Sequence, residues 1–134
     1  MTSKVEYKGN LRTSCTHLKS GDQFTTDAPV DNHGLGEAFS PTDTVATGLA
    51  SCMLTMMGIR YGAEQPALEG AYAEVTKHMA ANPRRISRIE VDLYLPAGIS
   101  EKNQRILEKT ALTCPVWFSL HEAIEKEIQF FWTL

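Results

Sequence analysis

The chain has 134 residues, of which 13 are Lys or Arg and 16 are Asp or Glu, so its formal net charge is −3 at pH 7. A chain of this length suits a single domain, and we expect residues 1–134 to form one. The acidic balance lacks the basic footprint of a nucleic-acid-binding protein. The only local basic cluster, Arg84, Arg85 and Arg88, is interpreted as a turn and a solvated strand face, so no nucleic-acid partner is expected.

The first residues of the chain and the spacing of its cysteines indicate the cellular compartment and the kinds of site to expect. The first ten residues, MTSKVEYKGN, carry no signal-peptide pattern, and the uncharged run 44–59 is too short for a membrane span. We therefore expect a cytoplasmic protein with no membrane partner. The cysteines, Cys15, Cys52 and Cys114, are odd in number and widely spaced, which does not fit a secreted disulfide framework. Since no CxxC or Cys/His cluster is present, we predict no metal site and no cofactor.

The first quarter of the chain is predicted to form a small antiparallel sheet. Residues 4–7 and 11–19 are predicted strands, residues 20–22 a hairpin turn, and residues 23–27 the return strand. Residues 28–38 are rich in Gly, Pro, Asn and Asp and are predicted to form a loop. A loop of this length indicates a functional role, because long structureless loops are uncommon in compact domains.

The most distinctive stretch is a predicted helix over residues 41–61. Ser40 is the predicted N-cap, and Asp43 is placed to return a hydrogen bond to it. Residues 44–59 contain no charged side chain, whereas a surface helix normally shows one charged face. We therefore expect this helix to be buried on nearly every side, which one small chain does not easily provide, and we predict a homodimer. Cys52 lies in the middle of the helix.

The remaining elements follow in a regular order. They are a bend at 64–66, strands over 68–79 and 88–95, a helix over 101–112, a second helix from Pro115 through Ile124, and a strand over 128–134. This order predicts an α+β domain with antiparallel sheets.

The residues around two of the cysteines are compatible with a reactive thiol. Cys114 precedes a proline at a predicted helix start, where free backbone N–H groups favour a thiolate, so on local electrostatics it is the more acidic thiol. Cys52 lies about three turns into its helix and would need a nearby cation to lower its pKa. Taken singly, each thiol is more simply read as a buried structural residue.

FSPTDTVATGLASC is followed by a Met-rich run, and CPVWFSLHEAI comes some sixty residues later. With these two stretches the sequence resembles the OsmC/Ohr family of thiol-dependent hydroperoxide reductases. LRTSCTHLKSG and TDAPVDNHGLGEAFSP agree with this resemblance near the front. The resemblance covers essentially the whole chain and is closer to the small OsmC-like branch than to the organic hydroperoxide resistance branch.

The resemblance implies a fold, a reaction and partners. The fold would be an intertwined homodimer in which two six-stranded sheets, each with strands from both subunits, wrap around the central helices. Cys52 would attack an organic hydroperoxide or hydrogen peroxide, Cys114 would resolve the sulfenic acid as a disulfide, and a dithiol such as dihydrolipoamide would restore both thiols. An apolar pocket lined by Met56, Trp117 and Phe118 would favour an organic peroxide. Such a role belongs to defence against oxidative stress.

The family also places an arginine and a glutamate beside the reactive thiol. Arg12 is the candidate for the arginine, with Lys19 as a weaker alternative. The family's glutamate is replaced here by Thr42, so Asp43 or Glu37 is the candidate to take its role. This departure keeps a second function open, a non-catalytic OsmC-like dimer that binds a small apolar ligand.

Overall fold

The computed structural model describes residues 1–62 and 68–134, and this part of the chain mixes strands and helices. The strands are β1 (Ser3–Gly9), β2 (Arg12–His17), β3 (Gln23–Asp27), β4 (Tyr72–Ala80), β5 (Arg85–Leu95) and β6 (Glu125–Trp132). The helices are α1 (Pro41–Tyr61), α2 (Glu101–Ala111) and α3 (Pro115–Ser119). The predicted α+β class is confirmed. The elements group into two compact units, Met1–Val45 and Ala46–Leu134.

The sheet of the first unit is an antiparallel meander in the order β1-β2-β3. The hairpin turn between β2 and β3 is longer than the sequence suggests, because β2 ends at His17 and not at Lys19. The His17 N–H donates to the Asp22 carbonyl, and the Gly21 N–H donates to the His17 carbonyl. This longer turn sets the register, which pairs Arg12 with Asp27.

The loop after β3 folds back on Ala28. One turn of 3₁₀ helix spans Val30–Asn32, and the Gly36 N–H donates to the Ala28 carbonyl at 3.2 Å. A Cβ on Gly34 would lie only 1.7 Å from the Ala28 carbonyl oxygen, so this close approach requires glycine. Phe39 then forms a parallel bridge with Thr26, which fixes the entry to α1.

Helix α1 has the predicted ends. The Asp43 N–H donates to Ser40 Oγ at 3.0 Å, and the Ser40 N–H donates to Asp43 Oδ2 at 2.8 Å, which is a complete capping box. At the other end Gly62 has φ +81°, a left-handed conformation that glycine adopts without strain. The helix therefore begins and ends where the sequence predicts.

The second unit holds a mixed sheet in the order β4-β5-β6. Strands β4 and β5 are antiparallel, whereas β5 and β6 are parallel, so the prediction of purely antiparallel sheets is wrong. The physical reason is that α2 and α3 lie between β5 and β6 in the chain. A crossover of that length returns the chain to the same end of the sheet, and a parallel pair results.

The core of the second unit lies between the inner face of β5 and two helices. The alternating residues of β5 and the i, i+4 positions of the helices supply fully buried side chains. The members are Ala46, Leu49, Ala50, Met53 and Met57 of α1; Ile89, Val91, Leu93 and Leu95 of β5; Leu107 and Ala111 of α2; and Ile99 and Cys114.

Several element boundaries differ from prediction. The strand expected from residue 68 begins at Tyr72, and the helix expected to run to Ile124 ends at Ser119, because Leu120 adopts an extended conformation. The bend expected at 64–66 falls outside the described residues. Among the described residues, none of the helices combines the length and hydropathy of a membrane span.

Candidate functional site

Cys52 and Cys114 come together in the second unit. Cys52 lies on α1, half-buried against the core, and Cys114 is the fully buried N-cap of α3. Both thiols are free, and Cys52 packs against the buried cluster that contains Cys114. Two free thiols in the same cluster, one of them only half-buried, are a candidate pair for a disulfide.

The environment of Cys114 opposes ionisation. Burial raises the pKa of the Cys114 thiol, and its interaction with the Cys52 side chain adds to this rise. The Trp117 N–H, which donates to Cys114 Sγ at 3.4 Å, acts in the opposite direction but does not reverse the shift. The expectation that Cys114 is an acidified thiol at a helix start is therefore wrong. Desolvation outweighs the contribution of a helix of only five residues.

A cation–π contact joins β6 to α3, the helix whose N-cap is Cys114. The Lys126 Nζ lies over the Trp117 ring, 5.1 Å from its centroid, and also donates to the Ile124 carbonyl at 3.2 Å. Of the residues predicted to line an apolar pocket, Met56 and Trp117 pack half-buried against the core, whereas Phe118 is 71% exposed.

In the first unit, Arg12 is held by two carboxylates. Its Nε and Nη2 donate to the two carboxylate oxygens of Asp27 at 2.7 and 2.8 Å, and Nη2 also donates to Glu37 Oε2 at 3.2 Å. The side chain of Asp27 is 2% exposed, that of Arg12 is 38% exposed and that of Glu37 is 66% exposed. The bidentate contact with buried Asp27 is therefore the one that fixes the guanidinium plane.

The charges of this cluster shift its pKa values in complementary directions. The Arg12 guanidinium holds the pKa of the Asp27 carboxyl below its ordinary value, mainly through their hydrogen bonds and against the effect of burial. Asp27 in turn raises the pKa of Arg12 above its ordinary value. The pair is accordingly ionised at neutral pH.

Asp27 is a functional candidate that the sequence reasoning missed. The signal was an acidic residue at the end of a strand opposite an arginine, but it depended on the hairpin register. With the shorter predicted turn Arg12 would not face Asp27, whereas the observed pairing places the two residues directly across from each other.

Asp43 takes the predicted part in the cap of α1. Its carboxylate accepts the Ser40 N–H in the capping box, while Ser40 Oγ and Thr42 Oγ1 lie 3.2 Å apart. Glu37, the other candidate acid, accepts a hydrogen bond from Arg12 Nη2. A hollow beside these residues is lined by Phe24, Thr25, Gly36, Glu37, Ala38, Phe39 and Asp43.

Two features remain, the arrangement of possible metal ligands and the third cysteine, Cys15. Within residues 1–62 and 68–134, no group of three or more His, Cys, Asp or Glu side chains is arranged to hold a metal ion. Cys15 lies on β2, where its Sγ is 3.8 Å from Thr13 Oγ1.

Comparison with known sequences decides the family. A profile of the family described as OsmC-like protein matches residues 34–129, which is most of the chain and includes both cysteines of the pair. The chain belongs to the OsmC-like family. Among proteins with curated descriptions, none matches this OsmC-like chain significantly.

Solved structures agree with this assignment. A crystal structure from Psychrobacter arcticus 273-4, described as that of a candidate osmotic stress induced and detoxification response protein, is 51% identical, with a TM-score of 0.92 over 97% of this chain and 95% of the other. An organic hydroperoxide resistance protein OsmC from Legionella pneumophila is 15% identical, with a TM-score of 0.74 over 98% and 97% of the two chains. An OsmC-like protein from Mycoplasma pneumoniae is 16% identical, also with a TM-score of 0.74, over 96% and 95%. The last two similarities show the OsmC-like fold alone.

Proposed function

We propose that this OsmC-like protein reduces organic hydroperoxides or hydrogen peroxide by a two-cysteine cycle. The observation that carries the proposal is that the free thiol of Cys52 packs against the buried cluster that contains the free thiol of Cys114. Peroxide-related names among proteins of the same fold support it, including an organic hydroperoxide resistance protein from Elizabethkingia anophelis.

The two thiols have different tasks in this cycle. Cys52, the more exposed of the pair, is the proposed nucleophile. Its thiolate takes the terminal oxygen of ROOH, so Cys52 becomes a sulfenic acid and ROH is released after protonation. Cys114 then attacks the Cys52 sulfur, the S–O bond breaks, and the oxygen leaves as water with the Cys114 proton. Cys114, which is buried in the same cluster, is the proposed resolving thiol.

An external dithiol closes the cycle. Dihydrolipoamide, or another small dithiol, would attack the Cys52–Cys114 disulfide and release both thiols as it becomes a cyclic disulfide. No metal or cofactor takes part in these steps. Arg12 is proposed as the cation that favours the Cys52 thiolate, with Asp27 and Glu37 as the carboxylates that orient its guanidinium.

We propose further that the working unit is a homodimer. The exposed side of α1 carries small or uncharged residues, which are Thr47, Ser51, Thr55, Gly58 and Ile59. A second helix could approach such a face closely, because Cβ atoms placed on Gly48 and Gly58 would meet nothing within 4 Å. An uncharged, exposed helix face of this kind is typical of a subunit interface. The protein is proposed to act in the cytoplasm as one OsmC-like domain per subunit.

Replacing Thr55 by Lys should dissociate this dimer. An unpaired charge buried in an interface costs about 3 kcal/mol, so we expect the dimer dissociation constant to rise by about 10²-fold. Light scattering coupled to size-exclusion chromatography over a dilution series would measure the change. Thr113→Lys, which adds the same charge at an exposed position after α2, serves as the control and should remain dimeric. A Thr55→Lys protein as dimeric as the wild type would exclude this face as the interface.

The reaction is tested by mapping the oxidised protein. The reduced protein is treated with one equivalent of cumene hydroperoxide, digested without reductant and analysed by mass spectrometry. We expect a Cys52–Cys114 linked peptide that disappears when dihydrolipoamide is added, with Cys15→Ser giving the same result. If peroxide leaves Cys52 and Cys114 reduced, the two-cysteine cycle is excluded, and a non-catalytic dimer that binds an apolar ligand becomes the better interpretation.

A further inference from the structure

The contact between Lys126 and Trp117 has no part in the cycle described above. Lys126 belongs to β6 and Trp117 to α3, so the contact joins the last strand of the sheet to the short helix that begins at Cys114. The ammonium group lies 5.1 Å from the centre of the indole ring and donates to the Ile124 carbonyl at 3.2 Å. Two interactions therefore fix the position of this cation over the ring.

Helix α3 is too short to hold its position alone. It has five residues, and isolated helices of this length are not stable in water. Its own hydrogen bonds include Phe118 N–H to the Cys114 carbonyl at 3.4 Å and Leu120 N–H to the Val116 carbonyl at 3.1 Å. The place of α3 must accordingly depend on contacts of its side chains with the rest of the unit.

The position of α3 decides the state of Cys114. The Trp117 N–H donates to Cys114 Sγ at 3.4 Å, and the Cys114 side chain is fully buried. If α3 moved away, Cys114 would lose this donor and become accessible to solvent. A residue that anchors the Trp117 ring thus also holds the Cys114 sulfur in place.

We propose that Lys126 is a positioning residue for Cys114, which it holds in the cluster beside α1 by anchoring Trp117 and, through it, helix α3. As a description of the resolving step, this inference rests on the proposed function. When the Cys52 sulfenic acid forms, Cys114 attacks the sulfur, the S–S bond forms and water leaves. A misplaced Cys114 slows that step and leaves the sulfenic acid open to a second peroxide, which oxidises it to the sulfinic acid.

The anchoring is tested first without any peroxide. In a Cys15→Ser, Cys52→Ser background, Cys114 is the single cysteine. The rate at which iodoacetamide alkylates it reports how often α3 moves away and exposes the thiol to solvent. We expect Lys126→Met to accelerate alkylation about fivefold across the pH profile, because the cation–π contact and the bond to Ile124 are lost together. Lys126→Arg should keep Cys114 protected, since a guanidinium also binds the face of an indole ring. Lys102→Met, at an exposed position of α2, is the matched control.

A second variant covers the case in which Lys126→Met folds poorly. Trp117→Leu removes the ring from the other side of the contact and should accelerate alkylation to a similar extent. The double variant should react no faster than the faster single variant, because both changes remove the same contact between Lys126 and the Trp117 ring. Alkylation rates that equal the background rate in both single variants would overturn the proposal.

The consequence for the resolving step is tested in the otherwise unchanged protein. After an excess of peroxide, Lys126→Met should form less Cys52–Cys114 disulfide and more Cys52 sulfinic acid than the wild type, and Lys126→Arg should restore the disulfide. A wild-type protein that forms no disulfide would contradict the proposed function, whereas the alkylation rates would still decide whether Lys126 anchors α3. A normal disulfide yield in Lys126→Met would overturn the positioning role.

Discussion

Replacing Cys52 by Ser should lower the rate of cumene hydroperoxide consumption by about 10³-fold or more, which is the usual consequence of removing a nucleophile. Cys114→Ser should give a different result, because it retains the nucleophile. We expect one rapid turnover in this variant, which consumes one peroxide per subunit and leaves Cys52 as a sulfenic acid that dimedone traps. Peroxide loss followed with dihydrolipoamide present and absent would distinguish the two variants.

Cys15→Ser is the matched control for this pair. Cys15 lies on β2 with its sulfur near Thr13, and it has no place in the proposed cycle, so its replacement should leave turnover unchanged. If Cys52→Ser and wild type consumed peroxide at the same rate, the assignment of the nucleophile would be wrong. A Cys114→Ser protein that turns over repeatedly would instead remove Cys114 from the cycle.

The second large effect is expected at Asp27. Asn in this position keeps the shape of the side chain but removes the charge that faces Arg12 Nε and Nη2, so the guanidinium loses its bidentate partner. A misplacement of about 1 Å at a reacting group can lower a rate by about 10²-fold, and we expect a loss of this order in the rate of Cys52 oxidation. Arg12→Ala should cause a loss at least as large. Stopped-flow measurement of sulfenic acid formation would test both.

The other two candidate acids should rank below Asp27. Glu37→Gln removes one contact of 3.2 Å from an exposed side chain and should change the rate only slightly. Asp43→Ala should leave the rate of Cys52 oxidation unchanged but lower the free energy of unfolding by about 1 kcal/mol, because it removes half of the capping box. An Asp43 variant with the largest rate loss would show that the order is wrong.

Acidic pH should reduce the stability that the Arg12–Asp27 pair gives to the fold. The pKa of Asp27 is lowered in the folded state, so this group stabilises the fold above its ordinary pKa, and the contribution is lost as the pH falls through the lowered value. The stability of Asp27→Asn should therefore fall less steeply than that of the wild type below the ordinary range of aspartate. Chemical denaturation at a series of acidic pH values would compare the two slopes.

Local chemistry explains what the sequence alone determined. The ends of α1 were predictable, because Ser40, Asp43 and Gly62 act within one turn of the backbone. The alternating residues of β5 identified a strand with one buried face. The two cysteine contexts together indicated the family, although neither context alone is specific.

Tertiary structure decided the features that depend on register, crossover and burial. The hairpin register placed Asp27 against Arg12, and the predicted turn was too short to show it. The two helices between β5 and β6 made that pair parallel. Burial raised the pKa of Cys114, although the sequence around it suggested the reverse, because desolvation depends on the side chains that surround a group in space. No pattern along the chain relates Lys126 to Cys114, since the connection passes through the ring of Trp117 and the backbone of α3.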